Sequence, residues 1–156
     1  MENKLVNIHV QYIKDLSFEN PEPLKSFANQ NEEQPEINVS VQASAENLGE
    51  NNFEVTLSTK IDAKHKEETM FILELEYSAI STVSESVEEK DVERTVMVDV
   101  PYLLFPYVRN IISDITRDGG FPPLHLSPMD FQDLYEKQKQ DGEITEVAAD
   151  SSNQVH

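Results

Sequence analysis

The sequence contains no cysteine, and only four of its 156 residues are glycine. Without cysteine the chain cannot form disulfides, zinc–thiolate sites or a thiol nucleophile. Neither of the glycine-rich phosphate-binding patterns, GxGxxG or GxxxxGK[ST], occurs. No apolar run reaches the ~18 residues that a membrane-spanning helix needs. These absences exclude thiol chemistry and the common nucleotide-binding loops, and they predict a protein that does not insert into a membrane.

Basic residues are also scarce. Twelve Lys and Arg residues stand against 30 Asp and Glu residues, which gives a formal net charge of −18. Such a field repels nucleic acids and anionic membranes, so we expect a basic protein partner instead. The first residues, Met1 to Lys4, show neither the basic nor the apolar region of a signal peptide. We therefore expect a cytoplasmic protein.

Four segments alternate between apolar and polar residues with the period of a half-buried strand. They are 5–18, 37–43, 53–61 and 70–81. The alternation shifts near Ile13, which predicts a bulge or bend. A long loop is predicted from Asn20 to Pro35, and polar turns are predicted at 48–52 and 64–67. In the fourth strand, one face is wholly apolar and the other carries Glu74 and Glu76.

Two helices are predicted after the strands. The first begins at Pro101 and ends at Gly119 and Gly120, because proline suits the first helical turn and glycine the C-terminus. The second begins after Ser127 as its N-cap. Strands followed by helices favour an α+β fold: a four-stranded antiparallel sheet, then a long helix and a shorter C-terminal helix. We expect one domain over residues 1–140 and a disordered acidic tail over 141–156.

The apolar stripe of the long helix is wider than one sheet contact requires, which indicates self-association. The sequence patterns that would indicate a catalytic site are weaker than this apolar stripe. The histidines at positions 9, 65, 125 and 156 are scattered over strand, turn, linker and tail. Two carboxylate pairs, Glu74 with Glu76 and Asp15 with Glu19, share strand faces, and solvated surface charge explains them most simply. A small carboxylate-dependent hydrolase is kept as an alternative, which requires a cleft that joins such a pair.

Three separated motifs carry a resemblance to a known family. Residues 11–21, QYIKDLSFENP, resemble the first-strand signature Y-x-K-D-x-S-F-E-x-P of SecB, the bacterial protein-export chaperone family. Residues 104–109, LFPYVR, and 120–131, GFPPLHLSPMDF, are similar to its helix and linker signatures. The motifs have the same order and spacing as in the family. The segment 78–81 and the turn at His65 and Lys66 depart from it, because both lack a glycine that the family often has there.

The resemblance implies an ATP-independent holdase with no catalytic residue, metal or cofactor. Such a protein binds unfolded secretory precursors in the cytosol and delivers them to the ATPase SecA. The resemblance also implies a homotetramer, a dimer of dimers, in which the sheets face outward and the long helices pack between them. It implies no contact with nucleic acid and no insertion into a membrane. A SecB-like chaperone dedicated to a toxin–antitoxin partner is the alternative within the same family.

The resemblance also assigns roles to individual positions, in three groups. The expected SecA-binding residues are Asp15, Glu19, Ile72 and Glu74. The expected client-binding groove consists of Leu24, Phe27, Phe121, Leu124, Leu126 and Phe131. The expected oligomer interface consists of Leu73, Leu75, Tyr77, Leu104, Val108, Ile111 and Ile115.

Overall fold

Four long strands form one antiparallel sheet in the computed structural model, which describes residues 4–28 and 34–142. The strands are β1 (Val6–Glu19), β2 (Glu36–Gly49), β3 (Asn52–His65) and β4 (Glu68–Val83). Their order across the sheet is β1-β4-β3-β2, so β1 and β2 are its edges. The predicted α+β fold with a four-stranded antiparallel sheet is confirmed. Strands β2, β3 and β4 are longer than the segments in which apolar and polar residues alternate in the sequence.

Tight two-residue turns join β2 to β3 and β3 to β4. Glu50 and Asn51 have φ angles of 55° and 63°, and Lys66 and Glu67 have φ angles of 49° and 70°. Two successive left-handed residues are typical of type I′ turns, whose twist matches that of a hairpin. Both predicted turns are confirmed, and the second forms without glycine.

Edge strand β1 is not regular along its length. Its register with β4 shifts between Ile8 and Val10 and again between Ile13 and Asp15. The second shift confirms the bulge that the broken alternation near Ile13 predicts. It leaves Lys14 without a residue directly opposite on β4.

Helical structure in the described part of the chain begins earlier than the sequence predicts. The segments are α1 (Pro23–Ala28), α2 (Glu89–Arg94), a π turn (Thr95–Asp99), α3 (Val100–Asp118) and α4 (Phe131–Gln140). The first of them, α1, lies inside the stretch predicted as a loop. Because α2, the π turn and α3 follow one another without a break, the prediction that the long helix begins at Pro101 is wrong.

The π turn explains why Pro101 is tolerated inside a continuous helix. The Val100 N–H donates to the Thr95 carbonyl, five residues back instead of four. Proline has no N–H, so an ordinary α-helix would lose a hydrogen bond at Pro101. Here Pro101 directly follows the π turn, where the backbone hydrogen bonds already depart from the regular α-helical pattern.

The sequence predicts the C-terminal end of α3 correctly but not the N-terminal end of α4. At the end of α3, the Gly120 N–H donates to the Arg117 carbonyl and the Phe121 N–H donates to the Thr116 carbonyl, both at 3.0 Å. This is the Schellman arrangement, and it confirms the predicted glycine stop. The predicted Ser127 cap of α4 is wrong, because Asp130 accepts the cap hydrogen bond and the helix begins one residue later.

The two faces of the sheet have different surroundings. The inner face packs against the continuous helix and forms the core, to which Leu57, Ile61 and Leu73 contribute side chains with no exposed area. The outer face carries mainly polar side chains, among them the exposed Lys60 and Glu74. Side chains alternate between these faces along each strand.

None of the helices within residues 4–28 and 34–142 is long and apolar enough to cross a membrane. The predicted acidic tail falls almost entirely outside the described residues, since the description ends at Gly142. The division into one domain over 1–140 and a tail over 141–156 therefore stays a prediction.

Candidate functional site

The predicted SecA-binding residues lie together on the outer face of the sheet. Glu19 on β1 lies directly opposite Ile72 on β4, and further along the same two strands Asp15 lies directly opposite Glu76. Glu74 lies on β4 between these two pairs, opposite Ser17. Asp15, Glu19 and Glu74 are exposed and Ile72 is half-buried. Because β1 and β4 are neighbours, the two segments form one continuous surface.

Negative charge dominates this surface. Asp15 and Glu76 are directly opposite in register across β1 and β4, a placement of like charges that is unfavourable without a nearby cation. Lys60 on β3 lies 3.6 Å from Glu74, and both side chains are about half exposed. A solvent-exposed pair of this kind contributes little to stability. Carboxylates therefore outnumber cations in this part of the outer face.

A second polar group on the outer face was missed by sequence reasoning. Lys14 Nζ lies 2.7 Å from Glu54 Oε1, and the Tyr12 hydroxyl donates a hydrogen bond to Glu54 Oε2. The pKa of Glu54 is held below its usual range, first by the hydrogen bond from Lys14 and then by that from Tyr12. The pKa of Tyr12 is raised, mainly by burial and then by Glu54. The sequence pattern does not predict this contact, because only the strand order brings Tyr12 on β1 near Glu54 on β3.

Four phenylalanine rings gather at one end of the inner face. Phe121 has its ring centroid 4.9 Å from that of Phe71, 5.4 Å from that of Phe27 and 6.4 Å from that of Phe18. The structure thus brings together Phe27 and Phe121 of the predicted client groove. It adds Phe18 and Phe71, which the sequence reasoning had not assigned to the groove. Phe27 keeps 42% of its area exposed, so the ring cluster reaches the surface.

Glycines make room for these rings at the end of α3. A Cβ atom on Gly120 would lie 2.7 Å from Cζ of Phe27, and one on Gly119 would lie 2.5 Å from Cζ of Phe18. Gly120 also has a φ of +94°, which favours glycine. The glycine pair therefore both ends the helix and lets two aromatic rings approach its backbone.

Thr116 joins the linker between α3 and α4 to the last turn of α3 by hydrogen bonds. Its Oγ1 accepts a hydrogen bond from the Leu124 N–H at 2.9 Å and donates to the Ile112 carbonyl at 2.8 Å. Its own carbonyl accepts from the Phe121 N–H. The side chain has no exposed area. Thr116 therefore fixes the position of two residues of the predicted client groove.

The remaining predicted groove residues differ widely in exposure. Leu24 is 88% exposed, whereas Leu126 is 8% exposed and Phe131 is 3% exposed. Phe131 packs its ring against Phe105, with the ring centroids 5.4 Å apart. Leu126 and Phe131 thus have little accessible surface in this structure, and their contact with clients stays a prediction. Apolar side chains that are available at the groove end are Leu24, Phe27, Ile37 and Val39.

Helix α4 is held on the sheet by polar contacts. The Gln138 side-chain amide accepts from the Ala43 N–H at 3.0 Å and donates to the Ala43 carbonyl at 2.9 Å, so it pairs with the edge of β2. Glu93 accepts from the Tyr135 hydroxyl at 2.6 Å and lies 2.9 Å from Lys139 Nζ. Pairing an edge strand with a side chain reduces its tendency to join another strand.

The predicted oligomer-interface residues divide into two groups. Leu73, Leu75, Leu104 and Val108 are at most 1% exposed within the single chain. These four side chains pack in the core of the single chain, and their place in an interface stays a prediction. Tyr77 is 7% exposed, and Ile111 and Ile115 are half-buried.

Exposed aromatic and aliphatic side chains lie next to this group on α3. Tyr102, Leu103 and Tyr107 are 67%, 43% and 51% exposed. The Tyr107 ring stacks on Tyr77 with the centroids 6.2 Å apart, and Ile13 at the edge of the sheet is 48% exposed. These residues give α3 an apolar surface that the described part of the chain does not cover.

The carboxylate pairs that the hydrolase alternative requires lie on an open surface. Asp15, Glu19, Glu74 and Glu76 belong to the outer face, away from the helices that pack on the inner face. Within the described ranges, no group of three or more His, Asp or Glu side chains is arranged to hold a metal ion. Among the described residues, these carboxylates therefore lie on an open face of the sheet, whereas the hydrolase alternative requires a cleft.

Comparison with known proteins gives concordant results. The family model described as "Preprotein translocase subunit SecB" matches residues 1–142. A protein named "Protein-export protein SecB" from Paramagnetospirillum magneticum is 43% identical over 130 residues, which cover 83% of each chain. A protein of the same name from Rhodopseudomonas palustris is 45% identical over 130 residues, 83% of this chain and 82% of that one.

A solved structure shares the fold at much lower sequence identity. It is the Mycobacterium tuberculosis Rv1957 SecB-like chaperone in complex with a ChAD peptide from the Rv1956 HigA1 antitoxin. The TM-score is 0.66 and the identity is 13%, with 80% of this chain and 90% of that chain covered. This likeness supports the α+β architecture of sheet and helices.

Proposed function

The chain belongs to the SecB family, and from this premise we propose that it is an ATP-independent export chaperone that delivers unfolded precursors to SecA. The observation that carries the proposal is the family match over residues 1–142, supported by relatives at 43% and 45% identity that are named for protein export. The proposal includes one chaperone domain, an acidic tail and a cytoplasmic location.

Client capture is assigned to the apolar surface around the ring cluster. Leu24, Phe27, Ile37 and Val39 offer exposed apolar area. The Phe27 ring contacts that of Phe121, and Ile37 lies opposite Ala63, which lies opposite Phe71. An unfolded polypeptide presents many apolar segments, and several weak contacts along one chain raise its apparent affinity through effective concentration. The net charge of −18 favours clients with basic segments.

Delivery is assigned to the outer face. Asp15, Glu19, Ile72 and Glu74 form a surface of exposed carboxylates around one half-buried isoleucine. This composition suits a basic partner surface with an apolar centre, because complementary charge raises the association rate and burial of the centre adds affinity. The outer and inner faces are separated by the sheet, so client and SecA occupy different surfaces in this proposal.

Assembly into a dimer of dimers is assigned to α3 and its surroundings. Tyr102, Leu103, Tyr107, Ile111 and Ile115 keep exposed or partly exposed apolar area on this helix. Burial of such a surface against a second copy is favourable, at about 25 cal/mol for each Å² of apolar area. The long edge of β1, which pairs only with β4 among the described strands, is a further route to association.

A chaperone dedicated to a toxin–antitoxin partner is the second candidate. The relatives above 40% identity are named for protein export, whereas the SecB-like chaperone crystallised with an antitoxin peptide is only 13% identical. Export is therefore the function proposed for this chain.

The test is light scattering during refolding of a slow-folding model protein, with the mass of the chaperone measured by size exclusion on the same sample. Suppressed aggregation without ATP, at about one tetramer per client and with a mass of four chains, is the expected result. A monomer that leaves aggregation unchanged would contradict the proposal. Binding to purified SecA, measured separately, tests the delivery step.

A further inference from the structure

Gln138 on α4 pairs with the edge of the sheet as a residue of a further strand would. Its side-chain oxygen accepts from the Ala43 N–H at 3.0 Å, and its side-chain nitrogen donates to the Ala43 carbonyl at 2.9 Å. A side-chain amide has the same donor and acceptor as a peptide group, so it satisfies both backbone groups of Ala43. Gln138 is only 5% exposed, so solvent has little access to the pair.

The position of Ala43 on β2 makes this contact effective against a fifth strand. Ala43 lies midway along β2 (Glu36–Gly49). In an antiparallel sheet, the backbone groups of successive residues point alternately to one neighbour and to the other. The groups of the other odd-numbered residues from Ile37 to Ala45 therefore face the same edge as those of Ala43. A strand added along the whole of β2 would have to displace Gln138, and on either side of it only a short stretch of edge is left.

The β2 edge would attract another strand if it were open along its length. Ile37 is 38% exposed and Val39 is 45% exposed, so apolar area lies beside this edge. An exposed apolar edge is a template for pairing with another chain. If β1 of one copy paired with β2 of the next, the contact would be head to tail, and such contacts repeat without end unless the rotation closes a ring.

The β1 edge has different surroundings. Ile13 on β1 is 48% exposed and lies opposite Tyr77, whose ring stacks on that of Tyr107 on α3. The β1 edge is thus continuous with the exposed apolar surface of α3, which the proposed assembly buries. A contact through β1 and α3 can use the same surface on both copies, and a contact of that kind is closed.

We propose that Gln138 closes the β2 edge to strands of further copies, so that the sheet can be extended at β1 alone. Self-association then uses like surfaces and stops at a closed oligomer instead of continuing head to tail. Tyr135 and Lys139 support this role, because both contact Glu93 and hold α4 in place independently of Gln138. The inference rests on the proposed assembly through α3 and β1, and it deepens that proposal by naming what excludes the opposite edge.

The experiment measures the mass of full-chain variants by light scattering after size exclusion, over a wide range of protein concentration. Gln138→Leu keeps a side chain of similar size but removes the donor and the acceptor. Its mass should rise with concentration above that of the unmodified protein. At low concentration its Ala43 amide should exchange hydrogen about tenfold faster, the effect of one lost hydrogen bond. Gln140→Leu, at an exposed position of the same helix, is the matched control and should change neither quantity.

Two further variants separate the edge from other causes of growth. Gln138→Asn adds no apolar surface and is one methylene too short for the pairing, so its mass should rise as well. Ala43→Pro combined with Gln138→Leu should restore the mass of the unmodified protein, because proline offers no N–H at the edge and is tolerated on edge strands. Exchange of the Leu73 amide on β4 shows whether the sheet is intact, and Gln138→Asn keeps the test valid if Gln138→Leu opens it.

An unchanged mass in both Gln138→Leu and Gln138→Asn would overturn the inference, whether or not Ala43 exchanges faster. An equal rise in Gln140→Leu would overturn it, because added apolar surface alone would then explain the growth. Growth that persists in the variant with Ala43→Pro would place the new contact elsewhere and would also overturn it. A monomeric unmodified protein would contradict the proposed assembly, whereas larger species of Gln138→Leu would still support closure of the β2 edge.

Discussion

The inner and outer faces of the sheet are built from alternate residues of the same four strands, yet they differ in what covers them. On β4, Leu73 has no exposed area because the continuous helix packs on it, whereas the side chain of its neighbour Glu74 is 52% exposed. The inner face provides the area that stabilises the chain. The outer face carries exposed charges, which in the proposed function contact a partner. One strand therefore contributes residues both to the core and to the proposed recognition surface.

The largest expected effect comes from the inner face. Leu73→Ala removes a fully buried side chain and should lower the free energy of unfolding by about 2–5 kcal/mol. Glu74→Ala, one position along, should change it by less than about 0.5 kcal/mol, since the residue lies on the exposed face. Chemical denaturation of both variants measures the difference. Similar losses would show that the two faces do not differ as described.

A smaller effect is expected where the linker meets the inner layer. Thr116→Val keeps the shape of the side chain but removes the acceptor of the Leu124 N–H, at a cost of about 1–3 kcal/mol. Thr116→Ser keeps the hydroxyl and serves as the control. Hydrogen exchange of the Leu124 amide should accelerate in the valine variant and not in the serine variant. Unchanged exchange in the valine variant would show that the Thr116 hydroxyl does not hold the linker in place.

A substitution beside the ring cluster should have an effect on stability of similar or smaller size. Gly120→Ala forces an alanine into a left-handed conformation, which costs about 1–2 kcal/mol, and brings its Cβ into the Phe27 ring. Gly142→Ala has a comparable φ of +73° with nothing within 4 Å, so it isolates the backbone cost. Thermal unfolding should show the larger loss for Gly120→Ala. An equal loss would mean that the ring contact does not matter.

The smallest effect belongs to the outer face. The pKa of Glu54 is below its usual value of 4.5, so its contribution to stability is present in full above pH 4.5 and is lost as the pH falls through the lowered pKa. The difference in unfolding free energy between the unmodified protein and Glu54→Gln should therefore be larger at pH 7 than at pH 3. Urea denaturation at both values measures it. A difference independent of pH would show that the charge of Glu54 does not stabilise its contacts with Tyr12 and Lys14.

Local patterns in the sequence predict a large part of this architecture. The alternation in β4, the turn at Lys66 and Glu67, and the glycine stop after Asp118 all depend on a few neighbouring residues, and each is confirmed. The start of the long helix is not predicted, because a π turn lets Pro101 follow a helix that has already begun. Ser127 satisfies the pattern of a cap, yet Asp130, three residues later, takes that role.

Contacts between distant residues lie beyond such patterns. The four predicted SecA-binding positions come from the family resemblance, and strand order explains why they lie close together. The bond of Tyr12 to Glu54 crosses an intervening strand, and the ring of Phe27 meets Phe121 from 94 positions away in the chain. Burial of Leu104 and Val108 within one chain also follows from the packing of the helix on its own sheet. Apolar periodicity identifies a buried face without telling which surface buries it.

The π turn has a consequence for how this chain tolerates changes of length. Its hydrogen bond reaches five residues back where an α-helix reaches four, so the turn advances the helix about as far as one residue fewer would in a regular α-helix. Removing one residue from Thr95–Asp99 would therefore make the helix regular and leave α2 and α3 in nearly the same phase. Glu93 should then keep its contacts with Tyr135 and Lys139. A deletion in the regular part of the helix would instead rotate one end by about 100° against the other.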